Sequence, residues 1–162
     1  MAVKGEVIFK DDAGTELEGP RANKSCTVLE FFQEVKLPTD IQSGQVTGSR
    51  IYEPFMIVKE IDKLTPFMFQ YVAEGKAFQS VEISLYEIAE ATGKETVYFK
   101  YTLNNARLIS VENMMPSSAE ATKLNVAHLE KIQLVAESIK WEHVKASTEF
   151  ADQGFFAFKM PA

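Results

Sequence analysis

Residues 37–55, LPTDIQSGQVTGSRIYEPF, form a long polar run between two strand-like segments. A polar connection of this length inside a chain of 162 residues is uncommon, and such connections are usually functional loops or disordered inserts. Pro38, Thr39 and Asp40 read as the start of a turn, and Gly44 and Gly48 give the backbone freedom at two points. Arg50 adds a planar cation suited to a carboxylate. The same composition also describes a solvent-exposed insertion with no task of its own.

Outward from this run the chain alternates with period two. Val3, Val7 and Phe9 alternate with Lys4, Glu6 and Lys10, which predicts a strand with one buried face. Asp11 to Lys24 carries Gly14, Gly19 and Pro20 and reads as a loop. From Thr27 the alternation places Leu29, Phe31, Val35 and Leu37 on one face, with Glu30, Glu34 and Lys36 on the other. Ile51–Ile61 predicts a further strand, with Phe55, Ile57 and Ile61 on one face and Tyr52, Met56 and Val58 on the other. Apolar residues on both faces call for cover on both sides, and in a small domain the second cover is expected from a neighbouring subunit.

A single helix is legible. Leu64, Phe67, Met68, Tyr71 and Val72 make one apolar stripe at helical spacing. Thr65 is the expected N-cap, with Pro66 at the first helical position, Leu64 and Phe69 as a hydrophobic staple and Gly75 as the left-handed stop. Val81, Ile83 and Leu85, then Val97, Phe99, Tyr101 and Leu103, predict a hairpin about a turn at 91–94. Its second arm continues to Val111, with a bulge expected at Asn104–Asn105. Strand character returns over 124–144, and Phe156, Phe158 and Met160 predict a last strand. The tally is about seven or eight strands and one helix, without a strand–helix–strand rhythm, which predicts a tight antiparallel β-barrel or sandwich.

Composition narrows the function. The length suits one domain, residues 1–162, able to bury a core without disulfides. A formal net charge of −6 with no basic run argues against a nucleic-acid surface and against membrane-surface binding or insertion. No apolar run reaches the ~18 residues needed to span a bilayer, and the N-terminus lacks the pattern of a signal peptide. The chain is therefore expected to be made in the cytoplasm. The lone Cys26 reads as a small buried hydrophobe, and His128 and His143 have no metal-ligand spacing. No phosphate loop, nucleophile elbow or dinucleotide fingerprint occurs, so no catalytic residue, cofactor or metal is expected. Trp141-Glu142-His143, within IKWEHV, reads as a strand with Trp141 in the core.

PTDIQSGQVTGSRIYEPF resembles a strongly marked segment of the Hcp family, the tube proteins of the bacterial type VI secretion system. The resemblance lies in the Pro-Thr-Asp start, the Ser-Gly-Gln followed by a Gly and an Arg, and the Pro54-Phe55 that opens the next strand. IDKLTPFMFQYVAEG resembles the family's helix region, and IKWEHV a tripeptide region near its last strands. Asp11 to Lys24 matches nothing specific in the family.

The resemblance implies a mainly β fold: a compact barrel of two sheets flanked by one helix. It implies homo-hexameric rings that stack into a tube, carry effector proteins in the lumen, meet a VgrG-type spike and are propelled by contractile sheath proteins. It also implies no enzymatic activity and secretion without a signal peptide. The ring-stacking loop is expected to be Pro38, Thr39, Asp40, Ser43, Gly44, Gln45, Gly48 and Arg50. The lateral interface is expected at Phe32, Tyr52, Met56 and Val58, with Val28 beside Phe32. Pro54, Phe55, Trp141, Glu142 and His143 are expected to be structural. Two other readings stay open: a tail-tube subunit of a phage-derived contractile particle, and a small β-barrel ligand-binding module.

Overall fold

The computed structural model describes residues 4–120 and 127–153. Among these residues, nine strands and one helix run in the order β1 (Gly5–Lys10), β2 (Cys26–Phe32), β3 (Val35–Lys36), β4 (Ile51–Tyr52), β5 (Phe55–Glu60), α1 (Thr65–Glu74), β6 (Ala77–Ile88), β7 (Glu95–Met114), β8 (Leu129–His143) and β9 (Thr148–Gln153). Seven strands make one antiparallel sheet in the order β5-β2-β1-β6-β7-β8-β9, and β5 also pairs with β8. That extra pairing closes six of the strands into a barrel. The two sheets expected from sequence are thus continuous with each other. Closure removes the exposed edges that β5 and β8 would otherwise present along this seam.

The barrel interior follows from alternation. Val7 and Phe9 of β1, Val81 and Ile83 of β6, and Leu103 and Ala106 of β7 are fully buried. Phe9 and Phe78 meet at 5.1 Å between ring centroids, and Phe55 packs edge-on against Tyr101 at 5.4 Å. At the closing seam the inward rungs are Phe55 opposite Leu134, Ile57 opposite Ile132, and Lys59 opposite Glu130. The last rung is ionic, with Lys59 Nζ 2.6 Å from Glu130 Oε2 and both side chains wholly buried.

Several local expectations are corrected. Leu29 is the extra residue of a bulge in β2, between the pairs Val28–Lys59 and Glu30–Val58. The bulge resets the parity, so Val28 is buried and Leu29 is half-exposed, while Phe31 still faces the core. The predicted strand over Ile51–Ile61 is two strands broken at Glu53-Pro54, which resets parity again and turns Tyr52 inward. In β7 the register slips at Ile109, between Leu108 and Ser110, while Asn105 takes a left-handed φ of 49° without a slip. β9 was not foreseen. The expected strand at Phe156, Phe158 and Met160 lies outside the described residues.

The helix forms where expected and ends as expected at Gly75, with φ of 65° and Lys76 N donating to Tyr71 O. Its start differs. Leu64 is the N-cap and Thr65 the first helical residue, because Asp62 takes the capping role: its Oδ1 accepts from Leu64 N, while Asp62 N donates to Thr65 Oγ1. Thr65 Oγ1 donates in turn to Glu130 Oε2 at 2.8 Å. Phe69 is half-exposed while Leu64 is buried, and Leu64, as the N-cap, is not the residue before the cap that a hydrophobic staple uses. The helix lies against β7, with Met68 buried, Tyr71 stacked on Phe78 at 4.4 Å, and Arg107 Nη1 donating to Gly75 O.

Candidate assembly surfaces

Between β2 and β5 the chain leaves the barrel as an arm. β3 and β4 form its root, pairing Val35 with Tyr52 and Lys36 with Ile51. Further out, Thr47 N donates to Pro38 O and Thr39 bridges to Val46. At the tip Asp40 N donates to Gln45 O and Gly44 N to Asp40 O, with Gly44 at φ 72°. Asp40 organises the turn: its carboxylate accepts from Gln42 N at 3.0 Å and from Ser43 Oγ at 2.9 Å. These bonds hold its pKa below the ordinary aspartate value. Gly48 sits where a Cβ would come within 3.2 Å of Pro38 Cγ. Every residue from Thr39 to Arg50 is exposed. Ile41, at the tip, is 98% exposed.

The polar run is therefore an ordered hairpin held by its own backbone. Arg50 is the member of the predicted stacking set that has a partner in the body of its own subunit. Its guanidinium grips Asp152 through Nε–Oδ2 at 2.6 Å and Nη2–Oδ1 at 2.9 Å, and donates to Gln153 O at 2.9 Å. Arg50 thus ties the foot of the arm to β9, with its side chain still 45% exposed.

The predicted lateral set divides. Phe32 pairs across β2 and β5 with Met56, and Val58 pairs with Glu30, all on the outward side of the barrel. Phe32 is 51% exposed, and Met56 and Val58 are partly exposed. Tyr52 and Val28 do not belong with them. Both are buried within the subunit, Tyr52 by stacking on Trp141 at 6.5 Å under the Arg50 guanidinium.

Of the predicted structural residues, Phe55 is fully buried and Pro54 sits partly covered at the break before it. Trp141 is half-buried rather than central. It packs against the core, stacks on Phe150 at 5.7 Å, and donates from Nε1 to Gln33 Oε1 at 3.3 Å. Glu142 faces solvent beside Lys140, and His143 Nδ1 accepts from Ala146 N at the turn into β9.

Two buried ionic groups escaped the sequence reading. Lys59 joins Glu130 and Asp62, the latter at 3.0 Å. Burial opposes the Lys59 cation, yet the two carboxylates hold its pKa above the ordinary lysine value. Cys26 nearby is buried, and burial above all pushes its thiol up to about 12. Glu6, almost fully buried, accepts from Tyr86 Oη at 2.7 Å and Asn23 Nδ2 at 3.1 Å and pairs with Arg21 at 3.1 Å. Burial raises its pKa, but these partners and Lys4 outweigh that and lower it. This network ties residues 11–24 to the barrel wall. The first could have been found from phase, since Lys59 is in step with Phe55 and Ile57 and Glu130 with Ile132 and Leu134, whereas Glu6 is out of step with Val7 and Phe9.

No group of three or more His, Cys, Asp or Glu able to hold a metal occurs among the described residues. One open surface depression, about 460 Å³, is lined by Pro20, Thr27 and residues 60–63.

The family model described as "Type VI secretion system effector, Hcp" matches residues 10–143. The chain belongs to the Hcp family. A "major exported protein" of Pseudomonas aeruginosa is 30% identical over 125 residues, spanning 77% of this chain and 72% of that protein. The Hcp1 protein of an E. coli pathovar superimposes with a TM-score of 0.83 at 28% identity, covering 96% of this chain and 100% of that one. The secreted protein Hcp3 of Pseudomonas aeruginosa shares the fold, with a TM-score of 0.71 at 18% identity over 94% and 98% of the two chains. This Hcp chain is thus a component of type VI secretion, built as a closed β-barrel with one helix.

Proposed function

We propose that this Hcp chain is the repeating subunit of a type VI inner tube. Six copies close side by side into a ring, rings stack into a tube, and a contractile sheath drives the tube outward behind a VgrG-type spike. Effector proteins travel in the lumen. Its task is structural rather than catalytic, and it is carried out of the cell with the tube.

The observation that carries this reading is the arm. It is an ordered hairpin standing outside the barrel, and it holds the almost wholly exposed Ile41 at its tip. Ordering a segment costs roughly 1–2 kcal/mol per residue, so a hairpin with an apolar tip and no core of its own is built to be covered by a partner. The outward pair Phe32–Met56, with Val58, supplies the lateral contact. At roughly 25 cal/mol per Å² of apolar area, such side chains contribute several kcal/mol per interface before entropic costs.

Charge separates the two contacts. A ring of six chains carries a formal charge of −36, six times −6. Like-charged rings repel, and salt screens this beyond about 8–10 Å. Discrete rings are therefore expected in dilute solution, with long tubes forming only on a template. Native mass spectrometry tests the ring: a hexamer is expected, and a monomer at all concentrations, or one that binds a small molecule, would refute it. Spontaneous long tubes at low salt would refute the charge argument alone.

A further inference from the structure

Two of the three sequence segments that carry the family resemblance, the arm and the Trp141 tripeptide, lie far apart in the chain and touch in the fold. The contact is built at three points. The strand entering the arm is held by Gln33, whose Oε1 accepts from Trp141 Nε1. The strand leaving it is held by Tyr52, stacked on Trp141, which is stacked in turn on Phe150 of β9. One step further out, Arg50 grips Asp152 with a two-pronged salt bridge and donates to Gln153 O.

β9 hangs from the outer end of β8, pairing with residues 138–143, and takes no part in closing the barrel. Its residues are exposed except Asp152, which is partly covered. β9 therefore adds little to the core, and the most directional side-chain contacts it makes among the described residues are with the arm. A fork-to-fork guanidinium–carboxylate pair fixes direction as well as distance, which a single ammonium contact does not.

We propose that β9 and Trp141 form a mount that sets the angle at which the arm leaves the barrel, with Asp152 as its positioning residue. A two-stranded ribbon is marginal on its own in water, and the root of this one has only two paired rungs. Its internal bonds give the arm a shape, while the mount gives it a direction. With Asp152 removed, the arm keeps its tip turn and swings about its root, while the barrel stays closed. The consequence for stacking rests on the reading of the arm given above; the aim of the arm does not.

The test reads direction. Spin labels at Gln42→Cys and Glu90→Cys report the distance from the arm tip to the exposed turn between β6 and β7, in full-length protein diluted with unlabelled chains. Cys26 is buried and takes no label. The parent is expected to give one narrow distance distribution. Asp152→Ala is expected to broaden it and to speed amide exchange across the arm root by roughly tenfold, the scale of one charge-assisted hydrogen-bonded pair. The exchanged pair Arg50→Asp with Asp152→Arg is expected to restore the narrow distribution. An unchanged distribution in Asp152→Ala overturns the proposal. So does a broadening matched by an equal loss of protection throughout the barrel strands, since that makes Asp152 a residue of general stability. Either result can occur whether or not rings form, so failure here is distinct from failure of the tube reading.

Discussion

The barrel and the arm are stabilised in opposite ways. The barrel buries Phe9, Phe55, Phe78, Ile83, Leu103 and Ile132 completely, and its closing seam ends on an enclosed ion pair. From Thr39 to Arg50 the arm buries no side chain, and its order comes from a few backbone bonds, one aspartate-centred turn and the grip on β9. Non-directional apolar burial tolerates many sequences, whereas a turn held by specific donors and acceptors tolerates few. It follows that a strongly marked sequence segment can lie in an exposed loop rather than in the core. It also separates the properties: damage to the barrel should appear as lost stability, and damage to the arm as lost assembly.

The largest break is expected at the seam. Lys59→Ala leaves Glu130 buried without its cation and should cost about 3–5 kcal/mol in chemical denaturation. Lys59→Met together with Glu130→Leu should recover much of that loss, because an apolar rung continues the pattern above it. A double variant no more stable than Lys59→Ala would mean that the ion pair is itself required by the barrel.

Alkali should weaken the barrel next. The Cys26 thiol, ordinarily near 9.0, is pushed up to about 12 in the fold, so the unfolded chain loses that proton first and stability falls between pH 9 and 12. The raised pKa of Lys59 acts in the same direction: its contribution is complete below 10.5 and is lost as pH climbs through the higher folded value. Tyr86, pushed up to about 12 from 10.0, adds to the decline above pH 10. Melting temperatures across this range should show the fall beginning near pH 9, and Cys26→Ala should delay its onset. An identical slope in that variant would remove Cys26 from the account.

Trp141 stands at the junction of the two regions. Half-buried, it should cost about 2 kcal/mol on replacement by alanine, less than a fully enclosed aromatic, and it should also loosen the arm. A melting loss without faster exchange in residues 35–52 would make Trp141 a residue of the barrel alone. The smallest stability effect belongs to the arm tip. Gly44→Val strains a left-handed position by about 1–2 kcal/mol, locally, and Gly48→Val crowds Pro38. Neither should move the melting midpoint of the barrel by more than a few degrees, while stacking or secretion is impaired. Full secretion by both variants would take the arm out of ring contacts.

Much of the barrel was legible because period-two alternation and one helical stripe are strong signals: Val7, Phe9, Val81, Ile83 and Leu103 lie inside as read. The misread faces have one cause. A bulge at Leu29 and a proline break before Phe55 each shift parity, and alternation counted across them assigns Val28 and Tyr52 to the wrong side. The ionic rung was missed because lysine and glutamate read as surface residues unless phase is weighed above residue type. The arm was legible as a loop and as a family mark. Its mount was not, since Arg50 and Asp152 are joined only by the closed fold, and β9, EFADQ and its neighbours, alternates weakly.

Electron micrographs of the purified protein test the central claim most directly. The account predicts discrete sixfold rings with an open centre in dilute solution, retained when Ile41 is changed to Asp at the arm tip. Single globules across a wide range of concentrations and buffers would contradict it.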